Sequence, residues 1–237
     1  MQWFERDFDH PLYFEIYKDK TQEAAEEGPG LASLLALPPG SRILDLPCGW
    51  GRLRPALEAR GYQVLGGDLS ALNLRRHLAE HPGPLVRMDL RALPFRGGCA
   101  NGVLCAYTSW GYFATDRENQ LQLDEFARVL RPGGTLLLDL AGRGFFLRAL
   151  ATLDGDWYDV EGLYRERVRL SQDGRRFLTD RIMRGERFQH DIWIPTDQEV
   201  RMGLAAAGLR VEEAFGNCQG APWNPWAERW IYRAVKT

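Results

Sequence analysis

The feature that most constrains this chain is a unit repeated through its middle, a short apolar run that ends in a turn and is followed by a helical pattern. The runs occupy residues 42–46, 62–66, 84–88, 101–106 and 135–138, at intervals of about 20 residues. Helical patterns follow at 51–60, closed by Gly61, and behind Ser70, an N-cap for a helix to about His81. A third covers 117–130 and is stopped by Pro132-Gly133-Gly134. The run 135–138 is apolar throughout, as expected of a strand covered by helices on both faces. Strands alternating with helices in this way require right-handed crossovers and a mainly parallel sheet.

After Asp139 the pattern changes. Residues 163–194 hold strand-like, arginine-rich runs with Asp173-Gly174 as a hairpin turn between two of them. Thr196 then caps a helix to Ala207, Gly208 ends it, and 209–215 and 230–235 read as two further strands. The fold expected is α/β and doubly wound. It has a mainly parallel seven-stranded sheet with helices on both faces and an antiparallel β flap inserted after strand five. A chain of 237 residues suits one domain of this kind. Its expected parts are an N-terminal helical region (1–30), a core (31–141), a flap (142–195) and a C-terminal helix with a strand pair (196–237).

Composition narrows the function. A formal net charge of −2 argues against a phosphate-binding surface spread over the whole molecule, and favours a small-molecule partner over nucleic acid. The four cysteines show no C-x-x-C spacing and do not cluster with the four histidines, so no metal site is expected and a reducing compartment fits. The longest apolar stretch, 31–37, is far short of a membrane span, and residues 1–6 lack the apolar run of a signal peptide. A cytoplasmic protein is the expectation.

In an open parallel sheet, ligands bind beyond the carboxyl ends of the strands. Here those ends carry Asp45 with Gly49 and Gly51, then Asp68-Leu69-Ser70, then Asp89-Leu90, then Tyr107 and the segment to Tyr112. Taken singly, each has a structural reading. Asp68 is as suited to capping a helix as to binding a ligand, the glycines to a strand–helix turn, and Asp89 to a loop.

In order and at these intervals, they resemble the class I S-adenosylmethionine-dependent methyltransferases. The run from Asp45 through Gly49 to Gly51 and Arg52 is similar to that family's first glycine-rich motif, and Asp68 to its acid after strand two. Asp89 with Leu93-Pro94-Phe95 resembles its D-x-x-x-L-P-F turn, and 126–139 the stretch into strand five. The resemblance implies S-adenosyl-L-methionine as cofactor, S-adenosyl-L-homocysteine as product and a nucleophilic N or O as methyl acceptor. It implies that Asp45 faces the cofactor's cationic groups and Asp68 its ribose hydroxyls. Gly49 and Gly51 would let the backbone approach. Asp89 and Leu90 would meet the adenine, and Leu69 and Tyr107 would lie alongside. Tyr13, Phe14 and Tyr17 would belong to a closing N-terminal helix. Pro47 stands where the family more often has Gly, and removes one backbone donor.

Two other functions compete. An acid after strand two also suits a nicotinamide cofactor in an oxidoreductase, but G-x-G-x-x-G is needed there and Arg54 occupies the last position. A non-catalytic module that only binds S-adenosylmethionine is the other. The candidates for a catalytic base are Tyr112 and His190. In the flap, Trp157, Tyr158, Tyr164, Phe188 and Trp193 either wall a small acceptor or pack the flap onto the domain. Its eight arginines from Arg165 to Arg187 are expected in cross-strand ion pairs on a wet face.

Overall fold

The computed structural model describes residues 2–153 and 155–237. Three helices open the chain: α1 (Trp3–Asp7), α2 (Pro11–Tyr17) and α3 (Lys20–Leu34). The core then runs β1 (Arg42–Asp45), α4 (Arg54–Ala59), β2 (Gln63–Asp68), α5 (Ala71–Glu80), β3 (Leu85–Arg87), β4 (Ala100–Cys105), α6 (Asp116–Val129) and β5 (Leu130–Ala141). Next come α7 (Arg143–Leu153), β6 (Tyr158–Val160), β7 (Tyr164–Leu170), β8 (Arg176–Met183) and β9 (Glu186–Trp193). The chain closes with α8 (Asp197–Ala206), β10 (Leu209–Phe215) and β11 (Arg229–Lys236).

The main sheet has seven strands in the order β3-β2-β1-β4-β5-β11-β10, all parallel except β11, which pairs antiparallel with both β5 and β10. Strand order reverses between β1 and β4, so the crevice for a ligand opens at their carboxyl ends. The strands are apolar on both faces. Ile43, Val103, Leu137 and Ile231 are fully buried, and one core packs against α3 and α4 while the other packs against α6 and α8. Ser70 caps α5 by accepting the N–H of Asn73, and Thr196 caps α8 with Glu199 closing a reciprocal box.

Some boundaries differ from the sequence reading, each for a local reason. The helix expected from residue 51 starts only at Arg54, because Gly51 adopts a φ of +85° that no right-handed helix permits. Helix α6 stops at Val129 because Leu130 is extended and pairs with Ala100, which lengthens β5 backwards through the glycines. The 142–195 segment is not all strand. Its first part is α7, whose Phe145, Phe146 and Leu147 in succession hide the helical period. The remainder is a four-stranded antiparallel sheet in the order β6-β7-β8-β9.

Pairing in this flap decides which side chains face inward. Glu166 lies opposite Arg181, Val168 opposite Thr179, Thr179 opposite His190 and Phe177 opposite Ile192. Side chains alternate across a strand. Glu166, Phe177, Thr179, Arg181, His190 and Ile192 therefore share one face, and Arg167 and Arg169 pair with Asp180 on the other. The N-terminal helices bridge flap and core. Asp7 accepts the N–H of Gln189 at 2.6 Å, and Asp9 accepts Ser70 Oγ at 2.8 Å and the N–H of Leu72 at 2.9 Å.

Candidate active site

A cavity of about 600 Å³ lies where the carboxyl ends of β1 and β4, the N-terminal helices and the inner face of the flap meet. Asp45, Gly49, Asp68, Tyr107, Tyr112 and His190 all line it. A larger depression of about 740 Å³, lined by Leu44, Tyr62, Leu65, Phe95 and Cys99, holds none of these strand-end groups. The strand-end residues therefore converge on the smaller cavity.

The loop after β1 turns sharply. The Leu46–Pro47 peptide is cis. Gly49 has a φ of +53° and donates its N–H to Asp68 Oδ2 at 2.8 Å. At Gly51, a Cβ would stand 2.4 Å from the His77 ring, so only glycine lets this turn close over α5. Asp68 Oδ1 accepts the N–H of Ser70 at 2.8 Å. Each carboxylate oxygen keeps a further lone pair for another donor. Burial pushes the Asp68 carboxyl up to about 6, against the pull of the Ser70 and Gly49 N–H groups.

Three buried polar atoms of the lining have no hydrogen-bond partner among the described residues: Asp45 Oδ2, Arg52 Nη1 and the Tyr107 hydroxyl. Buried polar groups are almost always paired, so three orphans on residues of one lining single this cavity out. Asp45 is 2% exposed, and burial pushes its carboxyl up to about 7, with Arg54 and Arg52 opposing. The Arg52 guanidinium stands over the Trp50 ring at 4.8 Å and the Tyr107 ring at 3.9 Å.

The Tyr107 backbone is held in an uncommon conformation. Tyr107 and Thr108 have φ of +56° and +59°, sparsely populated for such residues. The fully buried Asp139 holds the turn by accepting the Tyr107 N–H at 2.8 Å, while the Thr108 N–H bonds the Asp139 carbonyl at 3.0 Å. Arg229 pairs with Asp139 and Glu27, and its guanidinium lies over Tyr107 at 4.9 Å. Strain kept at a strand end by buried partners is characteristic of functional sites.

Not every strand-end residue joins this cavity. Leu69, Asp89 and Leu90 lie outside its lining. The Asp89 carboxylate accepts the Arg91 N–H at 2.8 Å and Arg91 Nη2 at 2.7 Å. Burial would raise its pKa, but the Arg91 bonds outweigh it and hold the carboxyl below its ordinary value. Leu90 packs in the core with Phe4 and Met88, and the Leu69 carbonyl accepts Arg87 Nε at 2.8 Å. Gly51 shapes the turn without lining the cavity.

Tyr112 packs edge-on against Trp3 and Phe8, and burial raises its phenol pKa, so it stays protonated. His190 stacks parallel to Tyr17 with centroids 6.0 Å apart, and its Nδ1 lies 3.2 Å from Arg181 Nη1. Burial, then that guanidinium, push its pKa well below the ordinary histidine value, and the ring is neutral.

Of the two readings of the flap aromatics, packing is the one found. Trp157, Tyr158, Tyr164, Phe188 and Trp193 are absent from the lining, and Trp193 packs tilted against Trp110 in the core. The aromatic wall comes instead from Tyr13 and Tyr17, from Phe145 and Phe146 of α7, and from Phe177. Sequence reading also passed over Arg52, Glu166, Arg181 and Arg229, which line the cavity. For Glu166 and Arg181 the available signal was strand parity with His190 across the hairpin.

The family described as "Methyltransferase domain" matches residues 44–138. The protein Rv1405c of Mycobacterium tuberculosis is 33% identical over 132 residues, which cover 53% of this chain and 47% of that one. The putative methyltransferase YqeM of Bacillus subtilis is 31% identical over 109 residues, 44% of each chain. The chain thus spans about half the length of the curated relatives it matches. In fold, the CcbJ methyltransferase from Streptomyces caelestis is similar across 89% of this chain and 90% of its own, with a TM-score of 0.75 and 16% identity. The family match runs from β1 into β5 and includes the cavity residues Asp45, Gly49, Asp68 and Tyr107. Residues 44–138 of this chain thus match a methyltransferase-domain family, and its fold is similar to that of the CcbJ methyltransferase.

Proposed function

We propose that the chain transfers the methyl group of S-adenosyl-L-methionine to an N or O nucleophile of a small molecule held beneath the flap. The observation that carries this reading is the pair of unpartnered buried poles, Asp45 Oδ2 and Arg52 Nη1, in one cavity. An α-amino acid offers the complement, an ammonium for Asp45 and a carboxylate for Arg52. Asp68 retains acceptor capacity for a pair of ribose hydroxyls, and the Tyr107 hydroxyl supplies a further contact. The residues present therefore fit the cofactor. When bound, it supplies a methyl group already activated on a sulfonium.

The chain's own work is alignment and exclusion of water. The N-terminal helices and flap roof the cavity, and alignment of reactants supplies much of the rate in such a displacement. Neither Tyr112 nor His190 is set to take a proton, since the phenol stays protonated and the imidazole faces a guanidinium. Both serve as walls that orient the acceptor. A cavity of about 600 Å³ suits small molecules rather than a polymer.

Structure also bears on the nicotinamide alternative. Arg54 stands where the dinucleotide fingerprint needs its last glycine and is buried there. It donates to His77 Nε2 at 2.9 Å and to the carbonyls of Val64 and Pro84 at 3.2 and 3.0 Å. That side chain fills the space a closely packed helix would need. The test is calorimetry with S-adenosyl-L-homocysteine and with NADH, followed by transfer of labelled methyl into a metabolite pool. We expect the first to bind, the second not to, and a small compound to be labelled. Binding without turnover would identify a non-catalytic module, and NADH binding would overturn the reading.

A further inference from the structure

At the flap end of the cavity stands a charged pair that the methyl-transfer chemistry does not use. Glu166 of β7 and Arg181 of β8 are directly opposed across the strands and joined through Glu166 Oε2 and Arg181 Nε. Their side chains are only 13% and 12% exposed, and both line the cavity. Arg181 Nη1 donates to the Tyr17 hydroxyl at 2.6 Å and lies beside the His190 ring. Arg181 Nη2 makes no well-formed hydrogen bond among the described residues, although the Tyr164 ring lies 6.0 Å from the guanidinium. Glu166 Oε1 accepts the Tyr158 hydroxyl, which leaves each carboxylate oxygen one free lone pair.

This end of the cavity is therefore close to neutral but polar, with donors next to acceptors. The neighbouring histidine carries no charge to alter that balance. An anion entering here meets Glu166, and a cation meets Arg181. Either leaves water for a site whose charges already satisfy each other, which is unfavourable. A neutral group with a donor beside an acceptor meets both partners at once. Tyr17 stands beside the pair, and further along the same cavity face Phe177 and Ile192, with Phe146 packed on Phe177, supply apolar wall for a ring.

Resting on the methyltransferase reading, we propose that the Glu166–Arg181 pair is the acceptor handle and selects an uncharged ring compound bearing a hydrogen-bond donor beside an acceptor. A carboxamide and a vicinal diol share that chemistry. The pair determines specificity by rejecting charged acceptors, and it takes no part in moving the methyl group.

Four ring probes separate the possibilities: benzamide, cis-1,2-cyclohexanediol, benzoate and benzylamine. Each is titrated by ligand-observed NMR at neutral pH, with the protein free and saturated with S-adenosyl-L-homocysteine. In the wild type, one of the neutral probes is expected to bind about tenfold tighter than either charged one, and whichever it is names the handle's partner. Glu166→Gln unmasks the guanidinium and should raise benzoate to the tightest probe. Arg181→Met unmasks the carboxylate and should raise benzylammonium. Breaking a buried pair is destabilising, so the double variant Glu166→Gln/Arg181→Met is measured too. It should keep the neutral preference with weaker affinity. The inference is overturned if a charged probe binds tightest to the wild type, if no probe binds, or if neither single variant changes the order. Because the ranking is also read in free protein, a chain that refuses S-adenosyl-L-homocysteine overturns the methyltransferase reading and still tests the handle.

Discussion

Asp45 and Arg52, seven positions apart on either side of the first glycine turn, each bury one polar atom without a partner in the wall of the same cavity. Neither atom pairs with the other. Two opposite charges left apart in this way are costly unless a ligand joins them.

The first prediction follows from the Asp45 carboxyl, which burial raises to about 7. An acid whose folded pKa lies above its unfolded value contributes stability below about pH 4 that is lost as pH rises through the folded value. Asp68, raised to about 6, acts in the same direction. The ligand-free protein should therefore lose part of its stability between about pH 4 and pH 7 from these groups. Asp45→Asn should show a smaller loss over that window, read as the wild-type minus variant difference in denaturant midpoints. Affinity for S-adenosyl-L-homocysteine should move the other way, rising through pH 7 in the wild type, while in Asp45→Asn only the rise near pH 6 from Asp68 should remain.

Arg52→Met should weaken S-adenosyl-L-homocysteine by about 1.5–3 kcal/mol, the range for a hydrogen bond to a charged group. Affinity for methylthioadenosine, which lacks the amino-acid end, should be nearly unchanged. Calorimetry on both ligands checks this, and equal losses would place Arg52 elsewhere in the site.

Tyr112→Phe and His190→Gln should each keep methyl transfer within roughly tenfold of wild type, because removing a true general base costs about 10²–10⁴. The pH profile of kcat/KM should show no limb that disappears with either change. A limb lost in one variant would make that residue the base.

Trp193→Ala should act on stability. Its ring packs tilted against Trp110 at a centroid distance of 5.0 Å and belongs to the core. Emptying such a site costs about 3–5 kcal/mol. Chemical denaturation should show that loss, while affinity for S-adenosyl-L-homocysteine in the folded variant stays close to wild type. Acceptor kinetics altered at full stability would return Trp193 to the substrate wall.

Much of the scaffold was legible without coordinates, because its signals are local. Apolar runs, N-caps at Ser70 and Thr196, and glycines that end helices act over a few residues. Strand β10 falls on the residues its apolar pattern marks. The same locality made Asp45, Gly49, Asp68 and Tyr107 readable, since each stands at a strand end and the crevice of a doubly wound sheet lies there. The local view was also incomplete. Asp89 meets the motif, yet its carboxylate is taken by Arg91 two residues on. The inner wall depended on distance. Whether one flap arginine among eight turns inward follows from cross-strand register and from docking against the N-terminal helices. Arg181 meets Tyr17 across 164 residues of chain, and the energy that holds them together is absent from either segment alone. Strand alternation determined that Arg181 shares a face with Phe177 and Thr179. Only the packed structure decided that this face looks into the cavity, because burying it required a partner surface from the other end of the chain.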